Sequence, residues 1–342
     1  MCWLKKFGRE LVLIGLGGVA LSGLFACREP NAIQKETRFI MGTVCTIQIP
    51  GPPAVARRAM AGRRAVREAV EKAFARLEEC DQKFSVFIPS SPVCRFNQQG
   101  IPIDDPEIVA LIAQACEVSR LSQGAFDITV YPLVELWGFY SGKPRRPAPE
   151  EIAAARGKIG WQHLVITNGQ VTKKNAAVQI DLGAIAKGYA VDAAMQVLLQ
   201  NGIHDALIEA GGDIFALGQR NQKPWKIGIR HPRQPGLLDT LEVSDRAIAT
   251  SGDYEQFFIA DGARYHHIFD PRTGYPATNL MSVTVIGANA TLADAWSTAL
   301  FVLGLEKGMK LVEEGAVRAE VLMLTSQGRA LSSPGLKTIP GP

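Results

Sequence analysis

A carboxylate and a hydroxyl on one helix face are the first residues of this sequence that could do chemistry. Asp294 and Thr298 lie four positions apart in a run with helical apolar spacing, so their side chains share a face. Hard oxygen donors suit Mg²⁺, which commonly takes one or two protein ligands and completes its shell with phosphate and water. In the simpler interpretation, Asp294 only complements the dipole of a helix that Thr291 would cap.

Two adjacent histidines are the second candidate. His266 and His267 precede Asp270 and Pro271, which fit a type I turn in which the Asp270 side chain bonds back to the chain. Neighbouring histidines are costly to bury together, so we expect an exposed, working histidine beside this turn. With an ordinary pKa of about 6.5, such a side chain can take up a proton near neutral pH.

A lysine near a helix start is the third candidate. Residues 179–192 predict a strand that turns at Gly183 into a helix, with Lys187 one turn in. Free N–H groups at the helix start, together with Lys187, would suit a phosphate. The segment is not a Walker A loop, because it lacks the GxxxxGKS or GxxxxGKT pattern. A capped helix with a surface lysine explains the same residues.

Glycines and aromatics complete the candidate set. Gly211-Gly212 follows an apolar strand and lets the backbone bend sharply or approach a ligand, although a plain turn explains the pair equally well. Residues 250–255 form a further polar segment. Residues 124–139 surround Asp127 with glycines and aromatics, which could line a pocket for a flat ring or simply pack in the core.

The strands and helices that must position these residues interleave without a strict βαβ rhythm. The alternation over 43–49 predicts a half-buried strand, and 54–80 predicts one long amphipathic helix. A second helix is predicted from Asp104 to about Gly124. This order predicts a mixed α+β domain rather than a Rossmann fold. Further strands are predicted near 163–167, 178–181, 205–210, 282–286 and 319–325, and further helices near 185–201 and 292–303.

The first residues predict an exported protein. A basic segment precedes an apolar run that is shorter than the ~20 residues of a membrane-spanning helix, which is typical of a signal peptide over 1–26. The run ends at Ala26-Cys27, which resembles the lipobox of bacterial lipoproteins, where the cysteine becomes the lipidated N-terminus. We expect residues 27–38 to form a lipidated tether that holds the body at the periplasmic face of a membrane. The alternative is an uncleaved anchor helix.

Net charge and cysteine spacing argue against two classes of function, nucleic-acid binding and zinc binding by thiolates. The chain carries +4, and the predicted signal peptide holds three basic residues and one acidic residue, so the mature body would carry +2. A nearly neutral body argues against nucleic acid as a partner. The cysteines of the body lack zinc spacing, and an extracytoplasmic location permits a disulfide that the sequence leaves open. They are Cys45, Cys80, Cys94 and Cys116.

Seven motifs occur in a fixed order along the chain. They are MGT (41–43), GAFDITVYPLVELWGF (124–139), DLGAIAKGYAVD (181–192), GGDI (211–214), TSGDYE (250–255), HHIFDPRTGYP (266–276) and ADAWSTAL (293–300). Together they resemble the ApbE family of FAD:protein FMN transferases over about residues 39–330. The resemblance implies a single large T-fold-like α+β domain over 39–337, bound FAD and a need for Mg²⁺. Many family members are lipoproteins, which agrees with the lipobox at Cys27.

The resemblance also implies an activity and a set of site residues. FAD would be cleaved at its pyrophosphate, and FMN would pass to a Thr or Ser hydroxyl of an acceptor protein with release of AMP. The Ala184 carbonyl, Asp294 and Thr298 would hold Mg²⁺, and His267 would act with Asp294 at the reacting centre. The residues implied to hold FAD are Met41, Ala125, Phe126, Asp127, Asp181, Lys187 and His267.

Other functions stay open on the sequence alone. Water could replace the acceptor hydroxyl, which would give a Mg²⁺-dependent FAD pyrophosphatase, or the protein could be a non-catalytic flavin-binding lipoprotein. Ile128, Tyr131 and Glu209-Ala210 depart from the Pro, Gly and Asn-Leu common in the family, and these positions concern the pocket rim. As acceptors, the family suggests flavin-carrying subunits of membrane redox complexes, such as Na⁺-pumping NADH:quinone reductase or Rnf types.

Overall fold

An antiparallel sheet of eight strands forms the middle layer of the structure. The computed structural model describes residues 34–51, 59–336 and 339–340. Strands and helices are numbered in chain order. Across the sheet the strands are β1 (Gln34–Ile40), β2 (Thr43–Ile49), β5 (Ala206–Ala210), β6 (Asp213–Leu217), β9 (Arg246–Gly252), β12 (Leu280–Gly287), β13 (Glu320–Thr325) and β14 (Ala330–Ser332).

Helices cover one face of this sheet. The long α1 (Ala59–Phe84) packs on α6 (Ala186–Gln200), α6 packs on α7 (Ala290–Leu303), and both α6 and α7 lie against the strands. Eleven residues of α7 are buried, because this helix is enclosed by the sheet, α3 and α6. Further helices are α2 (Pro92–Gln99), α3 (Pro106–Leu121), α4 (Tyr131–Leu136), α5 (Pro149–Arg156) and α8 (Leu305–Glu313).

A three-stranded sheet packs on the opposite face. Its Trp225 and Leu241 side chains join Ile248 and Ile286 of the main sheet in a second apolar cluster. The main sheet is therefore buried on both faces at its centre, which explains why seven of the eight residues of β12 are buried. This small sheet consists of β7 (Trp225–Arg230), β8 (Leu237–Val243) and β15 (Ile339–Pro340), and two hairpins pair β3 (Leu164–Thr167) with β4 (Gln170–Lys173) and β10 (Phe257–Ala260) with β11 (Ala263–His266).

The predicted mixed α+β architecture is confirmed, and most elements lie where the sequence placed them. β2 has the predicted bounds, and α6 and α7 match the helices expected near 185–201 and 292–303. β1 begins at Gln34, so the sheet includes residues 34–38, which the sequence assigned to the tether. The predicted signal peptide and Cys27 lie outside the described residues.

The strand expected near 178–181 does not form. The Ile180 N–H donates to Asn97 Oδ1 (2.8 Å), and the Ile180 carbonyl accepts from Asn97 Nδ2 (2.7 Å). The Asp181 N–H donates to the Ile128 carbonyl (2.7 Å). A side-chain amide and a loop carbonyl thus satisfy the backbone groups that a neighbouring strand would otherwise pair. The apolar alternation that suggested a strand reflects burial of Val178, Ile180 and Leu182.

Four cysteines lie in the described part of the chain, and Cys45, Cys80, Cys94 and Cys116 are all free thiols. Burial raises the pKa of Cys45, Cys80 and Cys116 to about 11, so these thiols are poor nucleophiles. Among the helices in the described part of the chain, none is both long enough and apolar enough to span a membrane.

Candidate active site

Two tight hairpin turns lie side by side at one end of the main sheet. Met41 and Gly42 join β1 to β2 with φ of 55° and 69°, and Gly211 and Gly212 join β5 to β6 with φ of 58° and 96°. The Gly211 N–H donates to the Val44 carbonyl (3.2 Å), which ties the turns together. Positive φ at both central residues is typical of two-residue hairpins. This conformation costs a residue such as Met41 about 1–2 kcal/mol, and strain of this kind is common at functional sites.

The turns form one wall of a cavity of about 570 Å³. Its other walls come from the loop after α1, residues 125–128, the start of α6, the end of β9 and α7. All ten residues that the resemblance assigned to FAD or Mg²⁺ belong to its lining. They are Met41, Ala125, Phe126, Asp127, Asp181, Ala184, Lys187, His267, Asp294 and Thr298.

Inside this cavity, Lys187 lies between two buried carboxylates. Its Nζ is 3.0 Å from Asp213 Oδ2 and 3.3 Å from Asp294 Oδ2, and it donates to the Gly183 carbonyl (3.1 Å). The side chains of Asp213 and Asp294 are 4% and 5% exposed. Two carboxylates and one ammonium group therefore share a site away from bulk water, where an unmatched charge is costly.

Burial and neighbouring charges shift the pKa of Lys187 and that of Asp213. Burial alone would lower the pKa of Lys187, but Asp213 and Asp294 outweigh it and raise the pKa, so the lysine is charged. Burial and the nearby Asp294 raise the pKa of Asp213 to about 8, against the opposing effect of Lys187, which favours a proton on this carboxyl. Asp213 Oδ2 lies 3.0 Å from Lys187 Nζ without hydrogen-bond geometry and has no hydrogen-bond partner among the described residues. A cation bound here would take the place of that proton.

The helices α6 and α7 approach closely at Gly188. A Cβ at this position would lie 2.2 Å from the Ala290 carbonyl oxygen and 2.9 Å from Asp294 Cβ, so only glycine fits. The Gly188 N–H belongs to the first turn of α6, where backbone donors lack a carbonyl partner within the helix, and it donates to Asp294 Oδ2 (3.1 Å). Within the described structure, no backbone N–H donates to the Ala184 carbonyl. The Ala184 oxygen is therefore open to a ligand in the cavity.

The start of α6 is less open to phosphate than the sequence predicted. The Gly183 N–H donates to Asp181 Oδ1 (2.9 Å), and the Gly188 N–H is taken by Asp294. The expectation of free N–H groups is therefore wrong at these positions, because carboxylates occupy them. Lys187 is not a surface lysine, since its side chain is 25% exposed and paired.

The predicted helix cap at Thr291 is also wrong. Asn289 caps α7, because its side chain accepts from the Leu292 N–H (2.8 Å). The Thr291 N–H and hydroxyl instead donate to the Asp192 carboxylate, at 2.9 and 2.6 Å. Asp192 belongs to α6, so these bonds fix α7 against α6 and thereby help to position Asp294.

The two adjacent histidines have different environments. His266 is 4% exposed, its Nε2 lies 2.7 Å from the Ala277 carbonyl, and its Nδ1 accepts from the Ile268 N–H (3.2 Å). These bonds make His266 a neutral, structural residue. His267 lies on the cavity wall, with its Nδ1 3.3 Å from the Gln256 carbonyl. A proton on Nδ1 suits this contact and leaves the Nε2 lone pair free.

The expectation of an exposed histidine with a pKa near 6.5 is wrong. His267 is half-buried. Burial, together with the neighbouring His266 and Lys187, lowers the pKa of His267 to about 4. The imidazole is therefore neutral at physiological pH, which is the form that can accept a proton.

The carboxylates of Asp127 and Asp181 bond within the protein. Asp127 accepts from the Thr129 N–H (2.8 Å), the Thr129 hydroxyl (2.6 Å) and the Trp161 N–H (3.0 Å). A ligand beside residues 125–127 would therefore meet mainly backbone groups. Asp181 accepts from the Tyr140 hydroxyl in addition to the Gly183 N–H.

Two aromatic side chains that the sequence did not single out line the cavity. Phe87 is 65% exposed, and its ring packs edge-on against Tyr140 with centroids 5.0 Å apart. Trp137, by contrast, is fully buried in a separate cluster, where its Nε1 donates to the Gly274 carbonyl (3.1 Å). Phe87 and Tyr140 are therefore aromatic side chains available to a flat ring in this cavity, whereas Trp137 serves core packing.

Asp213 and Ser251 are cavity residues whose motifs were noted in the sequence without a role. In the sequence, the one indication of a role for Asp213 was its position directly after a glycine pair. Its pairing with Lys187 depends on long-range contacts that no local pattern reveals. Among the described residues, no group of three or more His, Cys, Asp or Glu side chains is arranged to hold a metal. A cation here would therefore also need hydroxyl and carbonyl oxygens.

Comparison with known proteins agrees with this geometry. Residues 41–323 match the family model described as the ApbE family. The chain belongs to the ApbE family. The matched region begins at the Met41 turn and ends in β13, so it includes the whole lining of the cavity.

Curated ApbE relatives carry the name FAD:protein FMN transferase. The Vibrio cholerae protein is 33% identical over 329 residues, which cover 92% of this chain and 94% of that protein. The Escherichia coli K12 protein is 34% identical over 301 residues, which cover 84% and 83%. The Treponema pallidum protein is 32% identical over 325 residues, which cover 88% of each.

Solved ApbE structures share the fold. The ApbE protein of Thermotoga maritima superposes with a TM-score of 0.79 at 36% identity, covering 89% of this chain and 97% of that one. The flavin transferase ApbE from Vibrio cholerae gives a TM-score of 0.77 at 34% identity, covering 89% and 98%. The predicted ApbE-like α+β domain is thereby confirmed.

Proposed function

We propose that this ApbE-family protein transfers FMN from FAD to a Thr or Ser hydroxyl of an acceptor protein and releases AMP. The observation that carries the proposal is the single cavity in which Lys187, Asp213, Asp294 and His267 meet beside aromatic side chains. Its volume of about 570 Å³ lies within the usual range for ligand pockets. The shared name of the curated relatives supports the same reaction.

Mg²⁺ is the proposed assisting cation, and the donor set fits it. The Ala184 carbonyl, the Asp294 carboxylate and the Thr298 hydroxyl are hard oxygen donors of residues that line the cavity. Asp213 is a further candidate donor, since its buried Oδ2 lacks a hydrogen-bond partner among the described residues. When bound, Mg²⁺ would supply positive charge that stabilises the pyrophosphate as its P–O bond breaks.

The protein's own groups handle the proton and part of the charge. The acceptor oxygen forms a new bond to the FMN phosphorus, and the anhydride bond between that phosphorus and the AMP oxygen breaks. The hydroxyl proton must leave as the new bond forms. His267 accepts it at Nε2, because the imidazole is neutral and its Nδ1 faces the Gln256 carbonyl. The Lys187 ammonium offsets negative charge near the pyrophosphate.

A labelling assay tests the proposal against its two competitors. The full-length protein in detergent is incubated with FAD, Mg²⁺ and a purified acceptor that carries a Thr in a Ser/Thr-Gly-Ala-Thr context. Transfer predicts a fluorescent acceptor band together with AMP. Free FMN and AMP without a band would support the FAD pyrophosphatase instead. If neither a labelled band nor free FMN and AMP appeared, the protein would bind flavin without catalysis.

The acceptor that we propose is a flavin-carrying subunit of a membrane redox complex, reached by a protein that is exported and lipid-anchored at Cys27. The lipobox-like Ala26-Cys27 sequence supports this location. A lipid anchor would raise the local concentration of membrane-bound acceptors without any new contact. Metabolic labelling with a radioactive fatty acid tests the anchor: label should enter the wild type but not Cys27→Ser, and equal label in both would contradict it.

A further inference from the structure

Three hydroxyl groups form a continuous hydrogen-bonded chain behind the proposed cation site. Ser251 Oγ, at the end of β9, lies 3.0 Å from Thr298 Oγ1 and 2.7 Å from Ser297 Oγ, both on α7. Ser297 Oγ in turn lies 2.8 Å from the Asp294 backbone carbonyl. Thr298 and Ser251 belong to the cavity lining, whereas Ser297 is 1% exposed.

The chemistry of the hydroxyl group fixes the direction of every bond in this chain. A hydroxyl has one proton to donate, and a carbonyl oxygen can only accept. Ser297 must therefore donate to the Asp294 carbonyl, which leaves it only acceptor capacity toward Ser251. Ser251 must donate to Ser297, so its bond to Thr298 requires Thr298 to be the donor. All three protons thus point from Thr298 through Ser251 and Ser297 to the Asp294 carbonyl.

The direction of these hydrogen bonds determines whether the Thr298 hydroxyl turns a lone pair or its proton toward the cavity. Because its proton is directed at Ser251, both of its lone pairs are free, and Thr298 lines the same cavity as Asp294. A cation is attracted by a lone pair and repelled by a hydroxyl proton. An unconstrained Thr298 hydroxyl could instead turn its proton toward the Asp294 carboxylate and compete with the cation.

We propose that Ser251 is a positioning residue that turns the Thr298 proton away from the cavity, so that Thr298 can act as an oxygen ligand beside Asp294. This inference rests on the Mg²⁺ site of the proposed function. It assigns a role to the TSGD segment at residues 250–253, whose hydroxyl would act on the cation only through Thr298.

The test measures cation affinity directly. Full-length protein in detergent, with and without saturating FAD, is titrated with Mn²⁺, and free Mn²⁺ is counted by electron paramagnetic resonance. Loss of a group that orients a metal ligand typically weakens affinity about 10- to 100-fold, so Ser251→Ala should bind Mn²⁺ at least about tenfold more weakly. Ser251→Thr keeps the hydroxyl and should retain most of the wild-type affinity.

A second variant tests whether the direction of the hydroxyl protons, rather than side-chain packing, determines Mn²⁺ affinity. Ser297→Ala removes the acceptor of the Ser251 proton, which then turns to Thr298. Thr298 accepts it at one lone pair and releases its own proton toward the cavity, so Mn²⁺ affinity should fall although Ser297 does not line the cavity. The matched control is Thr284→Val, which removes a hydroxyl from the neighbouring Thr250–Thr284 pair (2.8 Å) on β9 and β12. This control should bind Mn²⁺ like the wild type.

Each result has a definite meaning. Wild-type Mn²⁺ affinity in folded Ser251→Ala would overturn the positioning role, and if that variant fails to fold, wild-type affinity in Ser297→Ala would overturn it. A wild type that binds no Mn²⁺ would overturn the cation site and this inference together. A wild type that labels no acceptor, yet whose Mn²⁺ affinity depends on Ser251, would refute the transfer function and leave this inference standing.

Discussion

The backbone N–H of Gly188 donates to the Asp294 carboxylate at 3.1 Å, at a crossing of α6 and α7 where a methyl group would overlap the Ala290 carbonyl. This contact joins the lysine-bearing motif to the acidic one through the main chain. Because the donor is a backbone group, the position of the carboxylate depends on how closely the two helices pack.

Gly188→Ala should therefore damage both the fold and the site. The added Cβ would force the helices apart, and overpacking of this kind lowers the free energy of unfolding by about 1–3 kcal/mol. FMN transfer should fall more than stability alone explains, since Asp294 moves away from Lys187. Urea unfolding and the labelling assay give the two readouts.

Gly62→Ala is the matched control for that substitution. Gly62 lies in α1 with open space around its Cα, and alanine is favoured in a helix interior by about 1 kcal/mol. This variant should be as stable as the wild type or more stable, with unchanged labelling. Similar behaviour of the two alanine variants would contradict the role of close packing at Gly188.

Asp213→Asn should weaken cation binding without unfolding the protein. The substitution keeps the shape of the side chain and removes a carboxyl group beside Lys187 that can ionise when a cation binds. Affinity for Mn²⁺, measured by titration, should drop about tenfold or more, and Asp294→Ala should in addition suppress labelling. Asp239→Asn is the control, because this half-buried carboxylate accepts from the Thr240 N–H on β8 and does not line the cavity. If both asparagine variants lose affinity equally, the charge argument fails.

His267 should titrate far below an ordinary histidine. Its lowered pKa means that the proton-accepting form is present above about pH 4 and is lost below it. The unfolded chain would bind this proton near pH 6.5, so the part of the stability that depends on neutral His267 should decline as pH falls from about 6.5 toward 4. An NMR titration of the imidazole signals that gave His267 a midpoint near pH 6.5 would contradict the lowered pKa.

His267→Gln should reduce FMN transfer by about 100-fold or more, because general-base catalysis commonly contributes a factor of that size. FAD binding should change much less, which flavin fluorescence can measure. Labelling at the wild-type rate would remove His267 from the proton-transfer step.

Phe87→Ala should weaken FAD binding and leave stability unchanged. The ring is mostly exposed on the cavity wall, where stacking on a flat cofactor ring is worth about 1–3 kcal/mol. Phe39→Ala is the control, since Phe39 is 76% exposed but does not line the cavity. Equal FAD affinity of the two variants in a fluorescence titration would rule out stacking on Phe87.

Local patterns predicted the parts of this structure that depend on local physics. The strand over 43–49 follows from alternation, and the glycine pair at 211–212 forms the expected sharp turn. The Asp270 turn also forms as predicted, with the side chain accepting from the Arg272 N–H (2.9 Å). In both turns the deciding interactions lie within a few residues of one another along the chain.

The errors arose where distant residues decide the outcome. Asn97 satisfies the backbone at Ile180, and Asp192 takes the Thr291 hydroxyl, so a strand and a cap that the sequence favoured do not form. His267 is buried by segments that are remote in sequence, which no local pattern could show. The same limit hid Asp213, whose partner Lys187 belongs to another element.

The cavity lining runs along the chain from Met41 to Thr298, and its closure requires β2 to pair with β5 and α7 to dock on α6. A partly synthesised chain therefore lacks a binding site altogether, and a cofactor can stabilise only the finished domain. For a chain that crosses a membrane unfolded, this order has a practical result. If this chain is exported unfolded, as proposed above, the flavin cannot travel with it, and FAD must be present in the compartment where α7 docks.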